Sequence, residues 1–149
     1  MIRRLYHPDS IPKLIAFGRK QHERLGFEFP YSPQKCHTLL KASMMPHSPD
    51  KAVWGAYDKN KVVGVLIAGI EPFAFMQGEY VCDMIFVAEK HGEKLYRAMV
   101  QWGQSHGAVA VQLAVTTGVP QAEKFYEKQG LKRIGGVYLK AFGGEQCQQ

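Results

Sequence analysis

The stretch VVGVLIAGI, Val62 to Ile70, carries no charged or polar side chain, and no other part of the chain limits the fold so sharply. It is far shorter than the roughly 18 apolar residues that a membrane-spanning helix requires. Its apolar positions are continuous where a half-exposed strand would alternate, which predicts a strand covered on both faces near the middle of a sheet. Two further apolar runs, EYVCDMIFV (Glu79 to Val87) and AVAVQLAV (Ala108 to Val115), flank a helical pattern from Gly92 to Ser105 with Leu95, Met99 and Trp102 on one side. A strand, a helix and a second buried strand imply a parallel pair joined by a right-handed crossover. The strands Glu79 to Val87 and Ala108 to Val115 are therefore expected side by side, with the sequence between them ending at Gly107. Ligands in such sheets gather at the carboxyl ends of parallel strands, here the links Ala88 to Gly92 and Thr116 to Gly118.

The remaining segments take their places around that unit. A short strand over Arg3 to Tyr6 precedes Asp9 and Ser10, either of which can cap a helix presenting Ile11, Leu14, Ile15, Gly18 and Leu25 and ending near Gly26. Gly26 to Gln34 is an aromatic loop broken by Pro30 and Pro33. Ser32 then caps a second helix, with Pro33 at its first position and Cys36, Leu39, Leu40 and Met44 facing inward. Met45 to Asp50 is a linker, and Asp58 to Asn60 is a hairpin turn between strands. Pro72 to Gly78 interrupts the third and fourth strands. A last helix runs from Pro120 to about Gln129 and stops at Gly130, and alternation through Leu131, Ile134, Val137, Tyr138 and Leu139 about Gly135 and Gly136 predicts a closing hairpin.

With 149 residues, 46% of them hydrophobic, the chain supports one core. The reading is a single domain over residues 1–142 with a short tail at 143–149. Cys36, Cys82 and Cys147 are odd in number and lack metal or disulfide spacing, and Met1 to Ser10 has no signal-like apolar region, so a soluble cytoplasmic protein with free thiols is expected. The six histidines have no paired metal spacing. A formal charge of +6 favours an anionic partner, but the basic residues are dispersed and match no nucleic-acid-binding motif. Neither a nucleic acid nor a membrane is expected as partner.

The stretch AEKFYEKQGLKRIGG and the order of elements resemble the GNAT superfamily of acyl-CoA-dependent N-acetyltransferases. The family's late signature, an alanine, an aromatic pair, then a glycine and an apolar residue, is matched by Ala122, Phe125, Tyr126, Gly130 and Leu131. An asparagine usual before the alanine is Val119 here. The second stretch, VAEKHGEKLYRAM, lies where the family joins its fourth strand to the cofactor helix. Val87 and Gly92 agree with the family pattern, His91 stands at the arginine position, and two small positions are Lys94 and Tyr96. The resemblance implies an α/β (α+β) fold with a mixed sheet of six to seven strands and about four helices, in the order β-α-α-β-β-β-α-β-α-β-β. It also implies acetyl-CoA as cofactor, bound by Ile85, Phe86, Val87, His91, Gly92, Glu93, Lys94 and Tyr96. Small GNAT-like proteins of tailed phages, some of them virion parts, share such altered loops, so a non-catalytic structural or protein-binding role is the alternative.

Under that resemblance the reaction is acetylation of an amine on a small molecule or protein. It needs a base for the ammonium proton, an oxyanion donor and an acid for the thiolate. Tyr126 inherits the acid role, with packing in a core as its competing use. Asp83, in an otherwise apolar strand four residues before Val87 and expected on its face, is the best base, ahead of Glu79 and Glu71; its competing use is as a structural partner for a backbone amide or a nearby lysine. A backbone N–H near Met84 to Val87 would serve the carbonyl. Phe27, Phe29, Tyr31, Phe73 and Phe75 are expected to wall the acceptor entrance, or to bury against each other or in a homodimer contact.

Overall fold

The computed structural model describes residues 1–44, 48–114 and 120–142. The apolar run becomes β3 (Lys61–Pro72), buried from Val62 to Ile70 as its composition requires. It lies at the centre of a five-stranded sheet ordered β1-β2-β3-β4-β5, where β1 is Ile2–Arg4, β2 Lys51–Asp58, β4 Glu79–Ala88 and β5 Ala110–Gln112. The first four strands pair antiparallel. Among the described strands, only β4 and β5 run parallel, in the register Tyr80↔Ala110 to Cys82↔Gln112, with α3 (Gly92–Ser105) as the crossover between them. That is the expected strand-helix-strand unit.

α1 (Ile11–Leu25) and α2 (Pro33–Met44) cover one face of the sheet. Ile11, Leu14 and Phe17 of α1 and Leu40 and Met44 of α2 pack in one cluster with Val53, Val65 and Ile67, and Ile85 and Val87 join its margin. α1 ends at Gly26, whose φ of +67° suits a residue without a Cβ. α2 starts as read, since the Lys35 amide donates to Ser32 Oγ at 3.2 Å. Ser10 does not cap α1: a short 3-10 turn over Pro8–Ser10 precedes the helix, and Ser10 Oγ donates instead to the His7 carbonyl.

α3 covers the opposite face. Leu95 and Met99 are wholly buried there, and Trp102 meets Trp54 of β2 edge to face at 5.6 Å between centroids. The close seat depends on Gly103, because a Cβ at that position would lie 2.7 Å from the Val81 side chain of β4. Arg4 also reaches this face, its guanidinium 5.0 Å from the Trp54 ring.

The chain divides into two compact units, Met1–Ala114 and Val115–Gln149. In the second, α4 (Pro120–Lys128) forms where expected, and Gly130, at φ +84°, ends it while the Leu131 amide donates to the Tyr126 carbonyl at 3.0 Å. The closing hairpin does not form: residues 131–142 contain no strand, Val137 is 94% exposed and Tyr138 fully exposed. Alternation prepares a segment for pairing but supplies neither the partner nor the covered face that make it a strand. The described sheet therefore has five strands where six to seven were expected. β5 also departs from expectation, since Ala110 and Gln112 are exposed. Within its described extent it pairs along three residues on one side only, so burial on both faces is not reached. Expectations at Met45–His47, Val115–Val119 and the tail from residue 143 lie outside the described residues. Among the described residues, no helix is long and apolar enough to cross a membrane.

Candidate active site

The carboxyl end of β4 is where chemistry-bearing residues converge in the first unit. β3 and β4 stay paired from Pro72↔Glu79 to Gly64↔Ala88, but the register steps between Ile67↔Ile85 and Ala68↔Asp83, leaving Met84 as the extra residue of a β-bulge. The bulge changes which face each later side chain takes. Asp83 shares the face of Ala68, whereas Ile85 and Val87 share the face of Ile67 and Val65, toward α1 and α2. The expectation that Asp83 and Val87 lie on one face is thus overturned, and the cause is one inserted residue in a strand whose simple period is two.

At the same point β5 parts from β4. Ladder pairing ends at Cys82↔Gln112, and the next link is made by a side chain: the Ala114 amide donates to Asp83 Oδ1 at 3.0 Å. Burial pushes the Asp83 carboxyl above its ordinary range, and the amide from Ala114 opposes that shift. The neighbouring Cys82 thiol is pushed up too, by burial first and then by the Glu71 and Asp83 charges. A raised pKa removes thiolate character at neutral pH.

Asp83 also makes the pH dependence of folding predictable. Its folded pKa lies above its unfolded one, so the folded chain holds the extra proton between the two values. The contribution to stability is fully present below the unfolded pKa and is lost as pH rises through the folded pKa. Asn in place of Asp still accepts the Ala114 N–H but has no charge to desolvate. Asp83→Asn is expected to fold at least as stably as the parent at neutral pH, with the difference closing below about pH 4. Thermal melts of both chains from about pH 3 to pH 7 check this.

Beyond β4 the chain turns sharply into α3. The Glu89 and Lys90 amides both donate to the Val63 carbonyl, and His91 takes φ +64° to redirect the chain. Glu89 accepts from Lys20 at 3.0 Å and Gln21 at 2.8 Å, and Lys90 donates to Asp58 at 2.8 Å. The link is therefore anchored to α1 and to the β2–β3 turn. The Asp58 and Glu89 carboxyls are held below their usual range by those same donors.

The start of α3 suits an anionic group. The N–H groups of the first turn have no carbonyl one turn back to bond to, and the helix dipole adds partial positive charge. A Cβ on Gly92 would meet nothing nearer than Ala88 Cβ at 3.6 Å. Of the cations around this turn, Lys90 is occupied by Asp58 and Arg97 by Glu93. Lys94 is exposed and has no ion pair among the described residues. Tyr96, the other departure from small residues, is buried at 8% exposure and does not project over the exposed turn. A pyrophosphate would meet backbone amides and Lys94 there, so the residues present fit it.

In the second unit Tyr126 is partly buried on α4, its ring 5.8 Å from that of Phe125 in an edge-to-face pair. The loop aromatics pack locally. His22 stacks with Phe27 at 5.4 Å and with Tyr31 at 5.5 Å, and the Tyr31 hydroxyl donates to the Ile15 carbonyl at 3.0 Å. Phe73 stacks on Tyr80 at 4.9 Å, whereas Phe75 is 89% exposed. No cluster of metal-ligating side chains occurs among the described residues.

Comparison with known proteins agrees with this geometry. Residues 19–131 match the model of the Acetyltransferase (GNAT) family. No curated protein sequence matches significantly. Among solved structures, a transcriptional regulator from Bacillus halodurans superposes with TM-score 0.73 at 16% identity, over 95% of this chain and 99% of that one. A ribosomal-protein-alanine N-acetyltransferase from Brucella melitensis biovar Abortus gives TM-score 0.70 at 13% identity, over 96% and 99%. A glucosamine-6-phosphate N-acetyltransferase from Arabidopsis thaliana gives 0.66 at 17%, over 96% and 98%.

Proposed function

The chain belongs to the GNAT acetyltransferase family, and from that premise we propose that it transfers an acetyl group from acetyl-CoA to an amine. The observation that carries the reading is the parting of β5 from β4 after Cys82, beside the exposed amide start of α3. A thioester-bearing chain would lie beside β4 beyond Cys82, with its pyrophosphate on Gly92, Glu93 and Lys94.

Acetyl-CoA supplies the thioester carbon and the leaving thiolate. The carboxyl end of β4, Ile85 to Val87, lies where a backbone amide would serve the carbonyl oxygen on which negative charge develops. Asp83 takes the proton of the attacking ammonium, directly or through water; its raised pKa brings it nearer the working pH of a base. Tyr126, on α4, would supply the proton for the departing thiolate, the role that the family resemblance gives it. His91 shapes the turn, and Tyr96 anchors the first turns of α3 in the interior.

Thiol release with a panel of amines tests the proposal, and because two solved neighbours are a glucosamine-6-phosphate N-acetyltransferase and a ribosomal-protein-alanine N-acetyltransferase, that panel includes glucosamine 6-phosphate and an alanine-bearing ribosomal-protein peptide. Lys94→Glu is expected to raise the Kd for acetyl-CoA by about tenfold, by removing one attractive charge and adding a repulsive one. The melting temperature should stay within a degree or two, since Lys94 is exposed at the surface. An unchanged Kd would remove Lys94 from the site.

A further inference from the structure

An open groove of about 790 Å³ lies between α1 and the β2–β3 turn, bordered by Lys13 and Lys20 on the helix and by Lys59 and Lys61 on the turn. Lys13, Lys59 and Lys61 have no ion pair among the described residues. The nearby carboxylates are engaged by other donors, Asp58 by Lys90 and Glu89 by Lys20 and Gln21, and Lys61 acts on Glu89 only at longer range. Positive charge is concentrated here in a way the sequence does not display, since the lysines of the helix and those of the turn are separated by 39 positions or more.

Lys59 adds a second indication. It sits in a two-residue loop between the paired Asp58 and Lys61, at φ +56°. Such a position is ordinarily given to glycine or asparagine, so the chain holds a lysine there against its backbone preference.

The chemistry of the groove narrows the occupant. Its floor is aliphatic and aromatic, but Phe17 and Val62 are each only 7% exposed, so no ring face is offered for a nucleobase to stack on. Its cations are all lysines, flexible point charges, and no arginine fork is present to grip a phosphate in two-pronged fashion. We propose that the groove docks an acidic, extended segment of a partner protein, with carboxylates on the lysines and small apolar side chains on the floor. Because Lys20 and Asp58 also hold the link into α3, the docked segment lies next to that link. The proposal does not depend on acetyl-CoA binding.

The test is fluorescence anisotropy with a labelled peptide of alternating Glu and Leu, at low and moderate salt. The unmodified protein should bind it, less tightly as salt rises. The triple variant Lys13→Glu, Lys59→Glu, Lys61→Glu should lose affinity by about tenfold or more. A control triple on α4 and beyond, Lys124→Glu, Lys128→Glu, Lys132→Glu, makes the same change in net charge and should stay within about twofold. Melting curves establish that both fold, and the Lys→Gln triple replaces the Glu one if it does not. Equal losses in both triples would overturn the proposal, because net charge alone would explain them. Absence of peptide binding would also overturn it, as would binding of a mixed single-stranded oligonucleotide in place of the peptide. A loss confined to acetyl-CoA affinity in the groove triple would assign the lysines to the cofactor and overturn it as well.

Discussion

Tyr126→Phe is expected to lower kcat by about one to three orders of magnitude while the Kd for acetyl-CoA changes by less than about twofold. The substitution removes one oxygen and keeps the ring, so the edge-to-face contact with Phe125 survives. The backbone around it is fixed independently of the hydroxyl, by Gly130 at positive φ and by the Leu131 amide on the Tyr126 carbonyl. A hydroxyl that served only packing and one hydrogen bond would show itself otherwise, as a stability loss of about 1 kcal/mol with kcat intact. Steady-state kinetics and a melting curve on the same preparation separate the two. Equal turnover in the variant would end the acid role.

Gly103→Val is expected to destabilise the protein by about 3 kcal/mol, which corresponds to roughly 6–12 °C in Tm for a chain of this size. At an exposed helical site, replacing glycine would be favourable by up to about 1 kcal/mol. Here the added Cβ would approach Val81 Cβ and Cγ1 to 2.7 Å, on a rigid strand, so the steric term outweighs helix propensity. α3 must then lift from β4, and its amino-terminal turn moves with it. Gly103→Ala should fall between parent and Val. A Tm unchanged in the Val variant would show that α3 is not seated as described.

The sheet was legible because its evidence is redundant. Val62–Ile70 is apolar at every position, and the helical pattern between two apolar runs admits few topologies. Cap residues were legible where one side chain has one geometric task, as with Ser32 and Gly26. The bulge at Met84 was not, because EYVCDMIFV is mostly apolar on both faces and an inserted residue leaves no mark in such a run. With it went the face of Asp83 and its bond to Ala114, a contact across 31 positions. The hairpin after Gly130 was read from alternation alone, and 131–142 show that alternation without a partner does not make a strand. The pairing of Lys90 with Asp58 and Lys20 with Glu89 was equally hidden, and it decides which cations at the start of α3 have no carboxylate partner. The lysine groove belongs to the same class: charges scattered in sequence are gathered by the fold.

The central claim is that the altered start of α3 still receives an acyl-CoA. Calorimetric titration of the purified protein with acetyl-CoA at moderate salt tests it most directly. The account predicts saturable one-site binding with a Kd in roughly the micromolar range, weakened in Lys94→Glu. No heat and no shift in Tm at millimolar acetyl-CoA would contradict it, and would make Tyr126 and Asp83 parts of a scaffold.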